Sequence, residues 1–162
     1  MGPRRIARAA ARRLRAITTI PREDRLPFAR AWWMLLSCRL RLRFPGLLGG
    51  HRLVQAELAR QPTLSALAPD PAAEARLVAI FNLAAANHLV HFSCLPRALA
   101  LKAFLDRHGI PSLLKLGVRK DGSLLDAHAW LEQSGSILND REAHVRLYHA
   151  LDCELVPQSI ES

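Results

Sequence analysis

Apolar positions recur every three to four residues in the first two thirds of the chain and every two residues afterwards. Trp32, Leu36 and Leu40 repeat every four residues, which predicts a helix from Pro27 to about Arg43. Arg39–Phe44 also alternates with period two, so the end of that helix is ambiguous. Pro45-Gly46 and Gly49-Gly50 break the chain, and a second helix is expected through residues 51–60. Asp70-Pro71 is a helix start, an acid at the N-cap followed by proline at the first helical position. Residues 71–90 then carry an apolar face of Leu77, Ile80, Phe81 and Ala84. HFSCLPR (91–97) follows, then a helix to about Arg107 that Gly109 and Pro111 terminate.

Beyond Pro111 the period falls to two. Ser112–Arg119 and Leu125–Glu132 read as strands around an Asp121-Gly122 turn, and Ile137–Asp140 as a short third strand. On the second strand Leu125, Ala127, Ala129 and Leu131 face one way, and Asp126, His128, Trp130 and Glu132 the other. Helices first and strands later predict an α+β fold: N-terminal helices, then a helix packed on an antiparallel sheet. No internal repeat is visible.

Charge divides the chain. Residues 1–60 hold 14 Arg, no Lys and only Glu23, Asp24 and Glu57, a net +11, whereas residues 61–162 carry −2. We therefore expect a basic helical region over 1–60 and a nearly neutral domain over 61–162, packed as one compact unit. Residues 4–17 are Arg-rich, with Ile6, Ala10, Leu14 and Ile17 along one helical face. A solvated basic helix is the simpler reading, although an organellar transit peptide shares its composition. No apolar stretch with a small-residue cleavage site follows, so a secretory signal is not expected. Apolar runs fall far short of the ~18 residues of a membrane span. No nucleic-acid-reading motif is recognisable, so nucleic acid is not an expected partner. Cys38, Cys94 and Cys153 are odd in number and lack CxxC spacing, which argues against a disulfide framework or a zinc ribbon and for a reducing cytoplasm.

The residues that can carry chemistry lie around the last turn of the sheet. If Gln133-Ser134-Gly135 forms a three-residue loop, Glu132 faces Ser136 and His128 faces Asp140. Directly opposed residues on one face have Cβ atoms about 4.5–5.5 Å apart. Asp140 would then accept from Nδ1–H of His128 and leave Nε2 as the base. A slip of one residue would separate them. Cys94 opens the helix that contains Pro96, with Ser93 as its N-cap. A helix N-terminus and a nearby imidazolium both favour the thiolate, and the Cys94 backbone N–H can donate to an oxyanion. Cys94, His128 and Asp140 are thus candidate nucleophile, base and orienting acid. Each also has a plainer role: a buried inert thiol, a structural His–Asp pair, a turn aspartate.

Other residues are weighed the same way. His88, His91 and Cys94 recur every three residues and could form part of a zinc site with His128; His91 is more simply a pocket residue beside the thiol. Arg97, one turn after Cys94, can bind substrate or a carboxylate, or pair with a neighbouring acid. Trp130 can wall the cleft or fill the core. His144 and His149 are read as surface residues, and Cys38 and Cys153 as core thiols.

CLPRALALKAFLDRHGI, LGV and DAHAWLEQSGSILND together resemble the transglutaminase-like cysteine peptidases that remove leader peptides in lasso-peptide biosynthesis. The likeness spans about residues 25–145 and is strongest from Cys94 to Asp140. It implies a papain/transglutaminase-like fold and a Cys94–His128–Asp140 triad that cuts a ribosomally made precursor at its leader–core junction. No cofactor is implied. Some members carry a fused strand-rich leader-binding domain, which residues 1–60 do not resemble. The chain is therefore similar to the stand-alone form, whose partners are the precursor peptide, a separate leader-binding protein and an ATP-dependent lasso cyclase. An acyltransferase or amidase on the same fold, or a nucleic-acid or membrane binder using the basic helices, are the alternatives.

Overall fold

The computed structural model describes residues 20–44, 49, 52, 54, 56, 70–122 and 124–151. The basic segment 4–17 and Cys153 lie outside them, as does the expected 51–60 helix apart from positions 52, 54 and 56, which are helical.

Among the described residues, three long helices precede the sheet: α1 (Arg25–Arg43), α2 (Pro71–Asn87) and α3 (Cys94–Asp106). In α1 the buried side chains are Phe28, Ala31, Met34, Leu35 and Cys38, a stripe at three- and four-residue spacing. The row of Trp32, Leu36 and Leu40 lies beside this stripe. Trp32 and Leu36 sit on its flank and Leu40 is exposed, because α1 packs against both α2 and α3 and presents the stripe between them. The alternating Arg39–Phe44 segment stays helical to Arg43. Arg76 of α2 pairs with Glu23 and Asp24 at the head of α1.

Asp70 caps α2 as expected, accepting the Ala72 amide at 3.0 Å, and Ile80, Phe81 and Ala84 are buried with Leu77 half-buried. This helix stops at Asn87, three residues before the expected end. The Asn87 side chain donates to the Leu83 carbonyl and His88 turns extended, with ψ 151°. The central helix is α3, with Pro96, Ala98, Leu99, Ala100, Leu101, Lys102, Phe104 and Leu105 all buried. It ends where Gly109 takes φ +72° and Ile110 N–H reaches the Leu105 carbonyl, the left-handed C-terminal motif that glycine makes cheap.

The sheet is antiparallel with order β3-β2-β1-β4: β1 (Leu113–Asp121), β2 (Leu124–Gln133), β3 (Ser136–Ile137) and β4 (His149–Leu151). A four-residue helix, α4 (Glu142–Val145), precedes β4, a strand that the sequence pattern did not suggest. One face, through Leu114, Ala129 and Leu131, joins the main core under α3. The other face has a small core of its own, with Trp130, Val145, Tyr148 and Ile137. Gly117 makes that second core possible. A Cβ there would stand 2.7 Å from the Trp130 ring and 3.0 Å from Tyr148 Cβ.

Candidate active site

Cys94 is the first residue of α3, half-buried, with Sγ 4.0 Å from the Ala127 carbonyl oxygen. Ser93 occupies the N-cap position, but its hydroxyl makes no capping bond. Since α3 packs on the main-core face and His128 lies on the other, the thiol can approach the imidazole only around an edge of the sheet. Such an edge is present. Both backbone groups of Leu131 are engaged on the β3 side, N–H with Asn139 and C=O with Leu138. Alternate residues of a strand direct their peptide groups the same way, so the Ala127 carbonyl also faces that side. There β3, only two residues long, does not cover it. Cys94 sits off this edge beyond the end of β3, at the peptide just before His128.

His128 Nε2 lies 2.6 Å from Asp140 Oδ2, but the route to that contact differs from the expected one. Gln133 pairs with Ser136 and Glu132 with Ile137, so the hairpin loop has two residues and the register is shifted by one. Ser134 and Gly135 both take positive φ, +48° and +81°, as the favoured two-residue hairpin turn requires. Continued ladder pairing would have put His128 and Asp140 on opposite faces. Instead the chain leaves the sheet after Leu138: Asn139 Oδ1, rather than a backbone carbonyl, accepts the Leu131 amide at 2.8 Å, and Asp140 swings back beneath His128. The bonded nitrogen also differs. Nε2 faces the carboxylate, which leaves Nδ1, and not Nε2, for chemistry.

Asp140 has a second imidazole on the same oxygen, His144 Nδ1 at 3.0 Å, while Oδ1 accepts the Arg141 amide at 2.7 Å. Burial pushes this carboxyl up, but the bonds from His144, the Arg141 amide and His128 outweigh it, so Asp140 titrates below the ordinary aspartate range. His144 is therefore no idle surface residue. The four-residue separation of Asp140 and His144 was the available signal. His128, Asp140 and His144 are the one group among the described residues whose ligand atoms lie within 4.8 Å of one another. The weighed zinc set of His88, His91, Cys94 and His128 is not brought together.

Around His128 stands a shell that sequence reasoning missed. The Tyr148 ring lies 5.0 Å from the imidazole, and its hydroxyl donates to Asp126 Oδ2 at 2.9 Å, an oxygen shared with Arg119 Nε. Those two donors, Tyr148 foremost, hold the Asp126 carboxyl below its usual range. Burial, and then the Asp126 bond, push the Tyr148 phenol up against the opposing charge of Arg119. Trp130, a candidate substrate contact, is 2% exposed, stacked beside His128 and bonded through Nε1 to Glu132. It is a core aromatic that steadies the imidazole from behind, and it is too buried to face substrate.

On the other side of Cys94, Arg97 donates through Nη2 to Asn82 Oδ1 at 2.9 Å, an amide and not the acid considered above. The His91 carbonyl accepts from Arg39. His88 is buried, stacked on Trp32 and edge-on to Phe92. Its Nδ1 accepts the Val90 amide, and burial, with Arg39 adding and the Trp32 backbone opposing, lowers its pKa.

A helix opening on a thiol, laid against an antiparallel sheet that carries an imidazole–carboxylate pair, defines the class: an α+β domain of the kind that supports thiol acyl chemistry. The sequence model of the transglutaminase-like superfamily matches residues 25–152. The chain belongs to that superfamily, whose members are typically enzymes and commonly cysteine peptidases. No curated protein and no solved structure matches it. Among the described residues no helix is long and apolar enough to cross a membrane.

Proposed function

We propose that this protein is a cysteine peptidase that removes the leader peptide from a ribosomally made lasso-peptide precursor. The observation that carries the reading is the meeting at one sheet edge: Cys94 Sγ against the peptide preceding His128, whose imidazole is bonded to Asp140. The CLPRA and HAW motifs supply the leader-peptidase likeness.

In this reading Cys94 gives its proton to His128 Nδ1 and attacks the scissile carbonyl as thiolate. The Cys94 amide, without an intrahelical acceptor at the head of α3, donates to the oxyanion. The His128 imidazolium protonates the departing amine. A water that loses its proton to His128 then cleaves the thioester, which returns the thiol. Asp140 keeps the ring oriented and stabilises its charge. The peptidase works in a reducing cytoplasm beside a separate leader-binding protein, and a cyclase takes the freed core peptide. Transfer to an amine instead of water would need the same residues, and mass spectrometry separates the two. Incubation with a precursor peptide should yield two fragments whose masses sum to that of the precursor plus one water. Cys94→Ala should abolish the cleavage while the fold persists, and iodoacetamide should block it in step with Cys94 labelling. Cleavage retained by Cys94→Ala removes the nucleophile assignment.

A further inference from the structure

A cavity of about 410 Å³ opens between the end of α2, the 88–92 segment and the first turn of α3, lined in part by Asn82, His88, His91, Phe92 and Arg97. Arg97 is three residues after Cys94, a spacing that puts both on one face of the helix. Its guanidinium is only half satisfied. Nη2 is anchored on Asn82 Oδ1, whereas Nε is buried and has no hydrogen-bond acceptor among the described residues. His88, on the same cavity, is buried, its Nδ1 accepting the Val90 amide. Among the described residues no aspartate or glutamate lines the space. Positive charge accumulates instead, since the Arg39 guanidinium stands over Phe92 and bonds the His91 carbonyl, and the N-terminus of α3 adds its partial charge. A buried N–H of a cation left without an acceptor is costly. A cavity that holds a guanidinium this way, one helical turn from the nucleophile, has the makings of an anion site.

We propose that this cavity is a carboxylate-binding subsite for the peptide substrate, with Arg97 as its cationic ligand. The inference rests on the peptidase reading and narrows it: the substrate carries an acidic side chain, or a free C-terminal carboxylate, within reach of the scissile bond. Asn82 fixes the guanidinium plane, and the incoming carboxylate pairs with the cation on its cavity side. Arg97 is a specificity residue here and takes no part in bond making.

The test uses the full chain labelled with 15N-arginine, the Arg97 Nε–H resonance being assigned by its loss in Arg97→Lys. Three probes are titrated: N-acetyl-glutamate N-methylamide, N-acetylglycine, and the neutral N-acetyl-glutamine N-methylamide. We expect a saturable shift of the Arg97 signal with an acidic probe and none with the neutral one. Response to the first probe identifies a side-chain carboxylate as the ligand, and to the second a terminal one. Measured by calorimetry with the same probes, Arg97→Lys should weaken that binding about tenfold or more, the scale of a charge-assisted hydrogen bond. An Arg97 signal unmoved by both acids, or moved equally by the neutral probe, overturns the proposal. Because the readout needs no turnover, it stands apart from the peptidase reading. Acid binding with an uncleaved precursor would count against the peptidase, and cleavage without acid binding against the subsite.

Discussion

Asn139 Oδ1 accepts the Leu131 amide at 2.8 Å, and with that bond the β2–β3 ladder stops. A backbone carbonyl in the same place would have extended the strand, covered the edge where Cys94 sits and turned Asp140 away from His128. Asn139→Ala leaves the amide of a fully buried residue without its acceptor, a loss of about 1–3 kcal/mol. We expect a lower urea midpoint and a large fall in kcat. Asn139→Asp retains an acceptor oxygen and should recover most of the stability at neutral pH. If Asn139→Ala unfolds at the same urea concentration as the parent, the bond does not hold the chain out of the sheet.

His144→Ala removes one of the donors that depress Asp140. A carboxyl with a folded-state pKa below its unfolded value contributes stability above the unfolded value, which is lost as pH falls through the folded value. With His144 gone the depression shrinks, so less of that stability is present at neutral pH and its loss on acidification is complete at a higher pH. The stability gap between parent and variant, followed by denaturation from pH 7 downward, should therefore narrow below the ordinary aspartate range. The acid limb of the kcat/KM profile should move upward, which simple loosening of α4 would not do. A profile unmoved in position denies His144 its part in holding Asp140.

His128→Gln separates the two ring nitrogens. Glutamine places an amide nitrogen near the former Nε2, so the bond to Asp140 can persist, while nothing replaces Nδ1. The variant should stay close to the parent in thermal stability, clearly above His128→Ala, and yet cleave nothing measurable. Appreciable cleavage by His128→Gln would mean that Nδ1 is not the working base.

What the sequence displayed clearly was local. Asp70-Pro71 starts α2, Gly109 ends α3, and the change from period four to period two marks the passage from helices to sheet. These signals rest on one or two residues whose backbone preferences need no partner. Legibility failed where partners decide. The buried face of α1 depends on helices some 30 or more residues away in sequence. The β2–β3 register turned on Ser134 accepting a positive φ usually left to glycine or asparagine. His128 and Asp140 were paired correctly from an incorrect ladder, because Asn139 undid the one-residue slip. Tyr148 gave no signal at all, since its place beside His128 depends on β4, a three-residue strand with exposed side chains.

Gly117 carries the most demanding steric condition in the site. It pairs with His128 across β1 and β2, and the indole of Trp130 occupies the space a side chain would need, 2.7 Å from where a Cβ would stand. Gly117→Ala must push Trp130 or Tyr148 aside, and both rings pack next to His128. Overpacking of this kind costs about 1–3 kcal/mol, so the thermal midpoint should fall and kcat should fall further than stability alone explains, because the imidazole loses its support. Trp130→Leu in the same chain removes the clashing ring. The double variant should therefore be more stable than the sum of the two single losses predicts, by a coupling measurable in a double-mutant cycle. Strict additivity would show that the glycine is not there to admit the indole.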